Sequence, residues 1–279
     1  WHISGGIGRL AQALEERCLE LGVKIHLNTK VSQIITTDGA ATGIKLANGD
    51  EISSDLIVTN ADSEITYNQL INSDESKAKK ERRKLRKASK SLAGFSLLLG
   101  LDNSKGDPVK LEHHNVFFPQ DYDAEFDQIF DQKVPVSDPT IYICAPKDKS
   151  MVKGENKEAW FVLVNAPRHD QKNGWDWSTN GEQYAKQIIN KLDNLGLNVS
   201  NRLDLMKFRT PLDLQEYAMA PGGSIYGTSS NSASSAFLRA SNRSKIKNLY
   251  CVGGSAHPGG GLPLVGISAD IVSEIIGKA

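Results

Sequence analysis

Cysteine is scarce: Cys18, Cys144 and Cys251 lie far apart in sequence and show no metal-ligand spacing. An odd, unpatterned set argues against a disulfide framework and fits three small buried hydrophobes in a reducing compartment. No apolar run approaches the roughly eighteen residues that a membrane span needs. Trp1–Arg9 has no charged leader followed by an apolar stretch. Excess charge is missing too, with 33 basic against 33 acidic residues, so no global field draws in nucleic acid. The four tryptophans, Trp1, Trp160, Trp175 and Trp177, do not alternate with basic residues as a base-stacking platform would. No Ser-His-Asp or Cys-His pattern and no repeat of fixed period are recognisable. What remains is a 279-residue chain with 39% hydrophobic residues, enough for one large domain or two ordinary ones. It moves from Trp1 straight into a glycine turn, and reads as part of a longer polypeptide.

Periodicity predicts a helix over 9–21, where Leu10, Leu14, Cys18 and Leu21 recur at helical spacing and Gly22 stops it. Branched residues predict strands at 23–27 and 30–37. Asp38-Gly39 and Asn48-Gly49 flank a short strand at 42–46, so residues 30–58 read as a small β-meander. A further strand at 55–60 ends in Asn-Ala-Asp. Helices are expected over 64–90, then strands at 92–101, 140–144, 159–165 and 202–209, with a helix at 181–195. Pro221–Ser235, rich in Gly, Ser and Asn, is expected to be loop. A buried strand at 248–252 and an apolar-faced helix at 264–276 close the chain.

Between those last two elements lies the densest run of special residues. In Gly253-Gly254-Ser255-Ala256-His257-Pro258-Gly259-Gly260-Gly261-Leu262-Pro263, five glycines and two prolines occupy eleven positions. Residues without Cβ let a backbone approach a flat ligand closely. The helix that follows turns its unpaired N–H groups and positive dipole end back toward the loop, which suits a group that becomes anionic. The same spacing also describes a plain tight strand–helix connection, and composition does not separate the two readings.

Gly222-Gly223-Ser224-Ile225-Tyr226-Gly227, Phe237-Leu238-Arg239, Asn242-Arg243 and the run Asn248–Ser268 together resemble the C-terminal signature of the phytoene desaturase family. Ser4-Gly5-Gly6-Ile7-Gly8, Leu27–Val31, Val58–Asp62 and His113–Phe118 recur in the family's order, so the resemblance covers nearly the whole chain. It implies an α/β fold: a partial FAD-binding Rossmann-like domain with an inserted α+β substrate domain. Residues 1–62 and 236–279 would form the cofactor part and 63–235 the substrate part. By position, Val31 matches the residue whose backbone meets the adenine side of FAD. Asn60 and Ala61 match the end of the strand returning to the cofactor. Gly253, Gly254 and His257 match the loop beside the flavin, and Pro263, Leu264 and Val265 the helix start under its pyrimidine edge. The implied activity is FAD-dependent dehydrogenation of an acyclic carotenoid, reoxidised by oxygen or a membrane quinone. Its rivals are a terminal oxidase or an isomerase of the same family, or a non-catalytic remnant. His257 is a candidate proton acceptor beside a role in shaping the loop. The family's G-x-G-x-x-G fingerprint, which grips the FAD pyrophosphate, is absent; Gly5-Gly6-Ile7-Gly8 has no preceding strand and carries Ala11 at the third position. FAD binding by this chain as given is therefore expected to be poor.

Two features stand outside that signature. Adjacent histidines on a strand point to opposite faces, and no cysteine or carboxylate lies at ligand spacing from His113 and His114. No metal site is expected. Nine of the fourteen residues from Lys77 to Lys90 are Lys or Arg. This run reads either as a solvated helix face or as a dock for anionic lipid, from which a polyene-using enzyme would draw substrate. The expected setting is cytoplasmic and peripheral to the membrane.

Overall fold

The structure is a computed structural model that describes residues 2–170, 174–229 and 239–277. Trp1, the Phe237-Leu238 pair and the later part of the Gly/Ser/Asn-rich stretch lie outside the described residues. In chain order the elements are α1 (Gly8–Glu20), β1 (Val31–Thr37), β2 (Ala40–Leu46), β3 (Glu51–Ser53), β4 (Ile57–Thr59), α2 (Ser63–Ile65), α3 (Lys79–Lys87), β5 (Ala93–Asp102), β6 (His114–Phe117), α4 (Tyr122–Phe126), β7 (Ile141–Cys144), β8 (Lys157–Ala166), α5 (Trp177–Asn194), α6 (Val199–Arg202), β9 (Leu203–Arg209), α7 (Pro211–Ala218), β10 (Leu249–Cys251) and α8 (Leu262–Ile276). The fold is α/β, and the chain forms two compact units, 1–27 with 94–210 and 28–93 with 211–279.

The first unit is built on a five-stranded sheet of order β6-β7-β8-β5-β9. Alternation dictates its core: Phe95, Leu97 and Leu99 of β5, Ile141 and Ile143 of β7, and Trp160, Val162 and Val164 of β8 are all buried. Helix α5 contributes Tyr184, Ala185, Ile188, Ile189 and Leu192 at helical spacing. Phe95 packs edge-on to Tyr184 and stacks on Trp177, with centroids 5.0 and 5.7 Å away. Helix α5 starts a turn earlier than expected because Asp176 caps it, accepting from the Ser178 and Thr179 amides.

The second unit holds the antiparallel meander β1-β2-β3 and a parallel pair, β10 beside β4. Ile34, Ala41, Ile57, Tyr67, Ile71, Leu85, Ile246, Leu249 and Cys251 form one buried cluster. Burial pushes the Cys251 thiol up to about 11 and drives the Tyr67 hydroxyl upward as well. Both groups are therefore neutral core members.

Residues 23–27 correct the sequence expectation. They form no strand and are exposed, because a β-run becomes a strand only where a neighbouring strand offers its ladder. Leu10, Leu14 and Leu19 of α1 and Leu21 just after it are likewise exposed, and no α1 residue is buried. Helix α7 starts on Pro211, which the first helical turn tolerates.

Candidate functional site

In the second unit, β10 and β4 run parallel in the register Leu249↔Ile57, Tyr250↔Val58, Cys251↔Thr59. Both strands therefore end at one level, and the Val252 amide extends the ladder to the Thr59 carbonyl at 2.9 Å. This brings Asn60-Ala61-Asp62 alongside Gly253-Gly254-Ser255. Gly253 has φ +94°, and a Cβ there would collide with the Asn60 side-chain oxygen. Glycine is needed at that position for both reasons. The Asp62 carboxylate accepts from the Glu64 amide at 2.8 Å and starts α2. Ser63 in turn meets Ser255, its amide donating to Ser255 Oγ at 2.9 Å.

The glycine loop is then held from beneath. Buried Asn242 Nδ2 lies 3.1 Å from the Cys251 carbonyl, 2.9 Å from that of His257 and 2.9 Å from Ser268 Oγ. Ser268, on the inner face of α8, accepts from the Gly253 amide at 3.2 Å. Arg239, buried, donates to the carbonyls of Tyr226 (2.8 Å), Gly254 (2.9 Å) and Thr228 (3.1 Å). Burial lowers its pKa somewhat, yet a guanidinium stays charged at any ordinary pH. The Tyr226 ring lies where a Cβ on Gly260 would be. Arg239, Asn242, Ser268 and Tyr226 thus shape a loop whose glycines alone attract the eye. The only signal for Arg239 and Asn242 in the sequence is their place in the family-like run, since no periodicity marks them.

On its outer side the loop is open. A Cβ at Gly261 would meet nothing within 4 Å, and one at Gly254 only the Gly260 Cα at 3.5 Å. Helix α8 begins there without a side-chain cap, and Leu262, Pro263 and Leu264 are exposed with Val265 half-buried. The first-turn N–H groups of Leu262 and Leu264 have no intrahelical partner, and Pro263 carries none. His257 is exposed, and its amide donates to the Ala240 carbonyl at 2.9 Å.

Of the residues expected at a cofactor site, Asn60, Ala61, Gly253, Gly254 and His257 come together around this loop, with Pro263, Leu264 and Val265 at the adjoining helix start. Val31 stands in the meander, paired with Leu46. Its neighbours Asn28, Thr29 and Lys30 line a groove of about 980 Å³ together with Ile65, Gln69, Gln215, Tyr217 and Met219. A flat, partly anionic group such as a flavin fits the open glycine backbone and the uncapped helix end. A phosphate-gripping G-x-G-x-x-G turn is not among these residues.

The histidine pair corrects a second expectation. Strand β6 begins at His114, so His113 sits in the bend before it and strand alternation does not govern it. The two rings meet edge to face with centroids 4.5 Å apart. Cys144, thirty residues on, lies directly across from His114 in the β6–β7 register. Cross-strand pairing brings together what sequence spacing kept apart.

Residues 1–91 match the family described as flavin containing amine oxidoreductase. The 4,4'-diapolycopene oxygenase of Methylomonas sp is 34% identical over 99% of this chain and 54% of its own length. The zeta-carotene-forming phytoene desaturase of Myxococcus xanthus is 34% identical over 98% of this chain and 52% of its own. The chain spans about half the length of the curated relatives it matches. Among solved structures, an oxidoreductase from Methanosarcina mazei shares the fold, with a TM-score of 0.65 and 18% identity over 97% of this chain and 55% of that one. Over almost its full length the chain is similar to carotenoid desaturases and oxygenases, and its first 91 residues match the flavin containing amine oxidoreductase family.

Proposed function

We propose that this chain is part of an FAD-dependent oxidoreductase that dehydrogenates an acyclic carotenoid, turning a CH–CH bond into a C=C bond. The observation that supports it most is the Cys251–Leu264 constellation, a parallel strand end, an open glycine backbone pinned by Arg239 and Asn242, and an uncapped helix start. When bound, FAD supplies the two-electron oxidation and accepts the hydride that leaves the polyene. Gly254 and Gly261 offer backbone without a covering side chain, so a planar ring can lie against them. The α8 N-terminus offers N–H groups and a positive dipole end to charge that develops on that ring. Exposed Leu262 and Leu264 give the approach an apolar border suited to a hydrocarbon. The groove beside Val31 mixes polar side chains, Thr29, Lys30 and Glu216 among them, with the apolar Ile65, Tyr217 and Met219. By role, residues 1–62 and 236–279 serve the cofactor and 63–235 the substrate.

The polyene's own solubility carries a further part of the proposal. No helix among the described residues is long and apolar enough to cross a membrane, so access to a lipid-borne substrate falls to the protein surface. Lys79, Lys80, Arg83, Arg86 and Lys87 of α3 are exposed, and we assign them to anionic lipid headgroups.

Some relatives are named desaturases and others oxygenases, and product analysis separates the two chemistries. The complete protein, expressed in a host that accumulates an acyclic carotenoid, is expected to yield pigments that each lack two hydrogens per step and absorb at longer wavelength. Aldehydes with an unchanged number of double bonds would replace this reading with terminal oxidation. Unaltered pigment would remove it.

A further inference from the structure

We infer that His113, His114 and Cys144 form a binding site for a borderline-soft divalent metal ion of the Zn²⁺ class, on the first unit and separate from the glycine loop. One potential ligand atom from each of the three lies within 4.8 Å of the others. Zinc bonds of about 2.0–2.1 Å to nitrogen and 2.3 Å to sulfur place two nitrogens and a sulfur around a tetrahedral ion roughly 3.3–3.6 Å apart. Binding therefore requires these side chains to rotate toward a common centre. Two imidazoles and one thiolate favour Zn²⁺ over Mg²⁺ or Ca²⁺, which demand oxygen donors.

The backbone beneath is already fixed. His114 and Cys144 are direct cross-strand partners in the β6–β7 ladder, so their side chains project from the same face. The Ala145 amide donates to the His113 carbonyl at 2.9 Å, which ties the bend before β6 to the end of β7. A neighbour also orients one ligand. His114 Nδ1 lies 2.8 Å from Tyr142 Oη, leaving Nε2 as the nitrogen available to an ion, an arrangement typical of metal-bound histidines. Tyr142 stands two residues before Cys144, on the same face of β7. All three ligands are reachable from solvent, since His114 is exposed and the other two are half-buried. They leave a fourth position for water. Next to the cluster, the His2 ring packs edge-on to His113 at 5.3 Å and is held by Asp148, with Nε2 to Oδ2 at 2.9 Å. An ion bound there would staple the start of β6 to the end of β7.

The test is a titration of tag-free, fully reduced protein with Zn²⁺ against a chromophoric chelator, repeated for His113→Ala, His114→Gln and Cys144→Ser. One Zn²⁺ per chain is expected, with at least about a tenfold loss of affinity in each variant. Tyr142→Phe should weaken binding less than any ligand change does. Co²⁺ in place of Zn²⁺ should give a thiolate-to-metal absorption band that Cys144→Ser abolishes. His114 is exposed, so His114→Gln leaves the core intact, and far-UV circular dichroism checks the fold of all variants. No Zn²⁺ bound to the unmodified protein, or affinity unchanged in folded His114→Gln and Cys144→Ser, would overturn the proposal.

Discussion

Gly253 shows how tightly one residue can tie a loop to a strand. Its φ of +94° and the Asn60 side chain in the place of a Cβ leave no room for alanine. Gly266 is the opposite case: it lies inside α8, exposed, with nothing within 4 Å of its missing Cβ. Gly253→Ala should therefore cost at least about 2 kcal/mol from strain and collision. Gly266→Ala should gain about 0.5–1 kcal/mol from helix propensity. Thermal melting of the two variants checks both signs, and equal effects would mean that the loop tolerates a side chain at 253. The sequence places Gly253 in a loop and Gly266 in a helix, but the collision at Gly253 rests on the parallel register of β10 with β4, a long-range pairing. The same holds for His113 and His114, whose meeting with Cys144 depends on a strand boundary and a cross-strand register that no local pattern states.

At the scale of elements, part of the basic run Lys77–Lys90 holds the fold together. Arg82 faces inward and donates to the carbonyls of Tyr67, Ile71, Asn72 and Ser73 at 2.7–3.0 Å, closing the irregular turn before the helix. Lys84 reaches the Arg239 carbonyl, and Lys90 pairs with Glu64 at 2.7 Å. These three are structural, so the charge run is neither a uniform solvated face nor a uniform dock. Arg82→Ala should destabilise the fold by about 2 kcal/mol or more, since several charge-assisted hydrogen bonds go at once. Reversing Arg83, Arg86 and Lys87 to Glu should leave stability nearly unchanged. It should weaken sedimentation with anionic vesicles by roughly a hundredfold or more, at about 1 kcal/mol per charge. Vesicle binding that survives the triple reversal would leave α3 with the structural task alone.

The elements themselves were legible where periodicity is strong and burial one-sided: the meander, β5, β8 and α5 follow their pattern to within a few residues, while α8 keeps its bounds but leaves Leu264, Ile267 and Ile275 of its apolar face exposed. The elements were illegible where the decision is tertiary. Residues 23–27 carry the branched composition of a strand but belong to none of the sheets among the described residues. Residues 66–70 and 127–132 form turns of π-helix that helical spacing does not distinguish.

For the whole molecule, the two units carry different chemistry. Residues 28–93 and 211–279 hold the glycine loop and the groove, and residues 1–27 and 94–210 the large sheet with the histidine–cysteine cluster. The loop was recognisable in sequence as strand, glycines and helix, but not what supports it. Arg239, Asn242 and Ser268 come from segments that fold beneath it, and without them an open glycine backbone would collapse rather than present a surface. The central claim is that this supported loop serves a flavin that oxidises a polyene. The most direct measurement mixes the complete protein, with flavin bound and oxygen excluded, with an acyclic carotenoid in lipid, and follows flavin absorbance and pigment together. One flavin reduced for each new double bond is the result predicted; flavin that stays oxidised while the polyene is bound would contradict it.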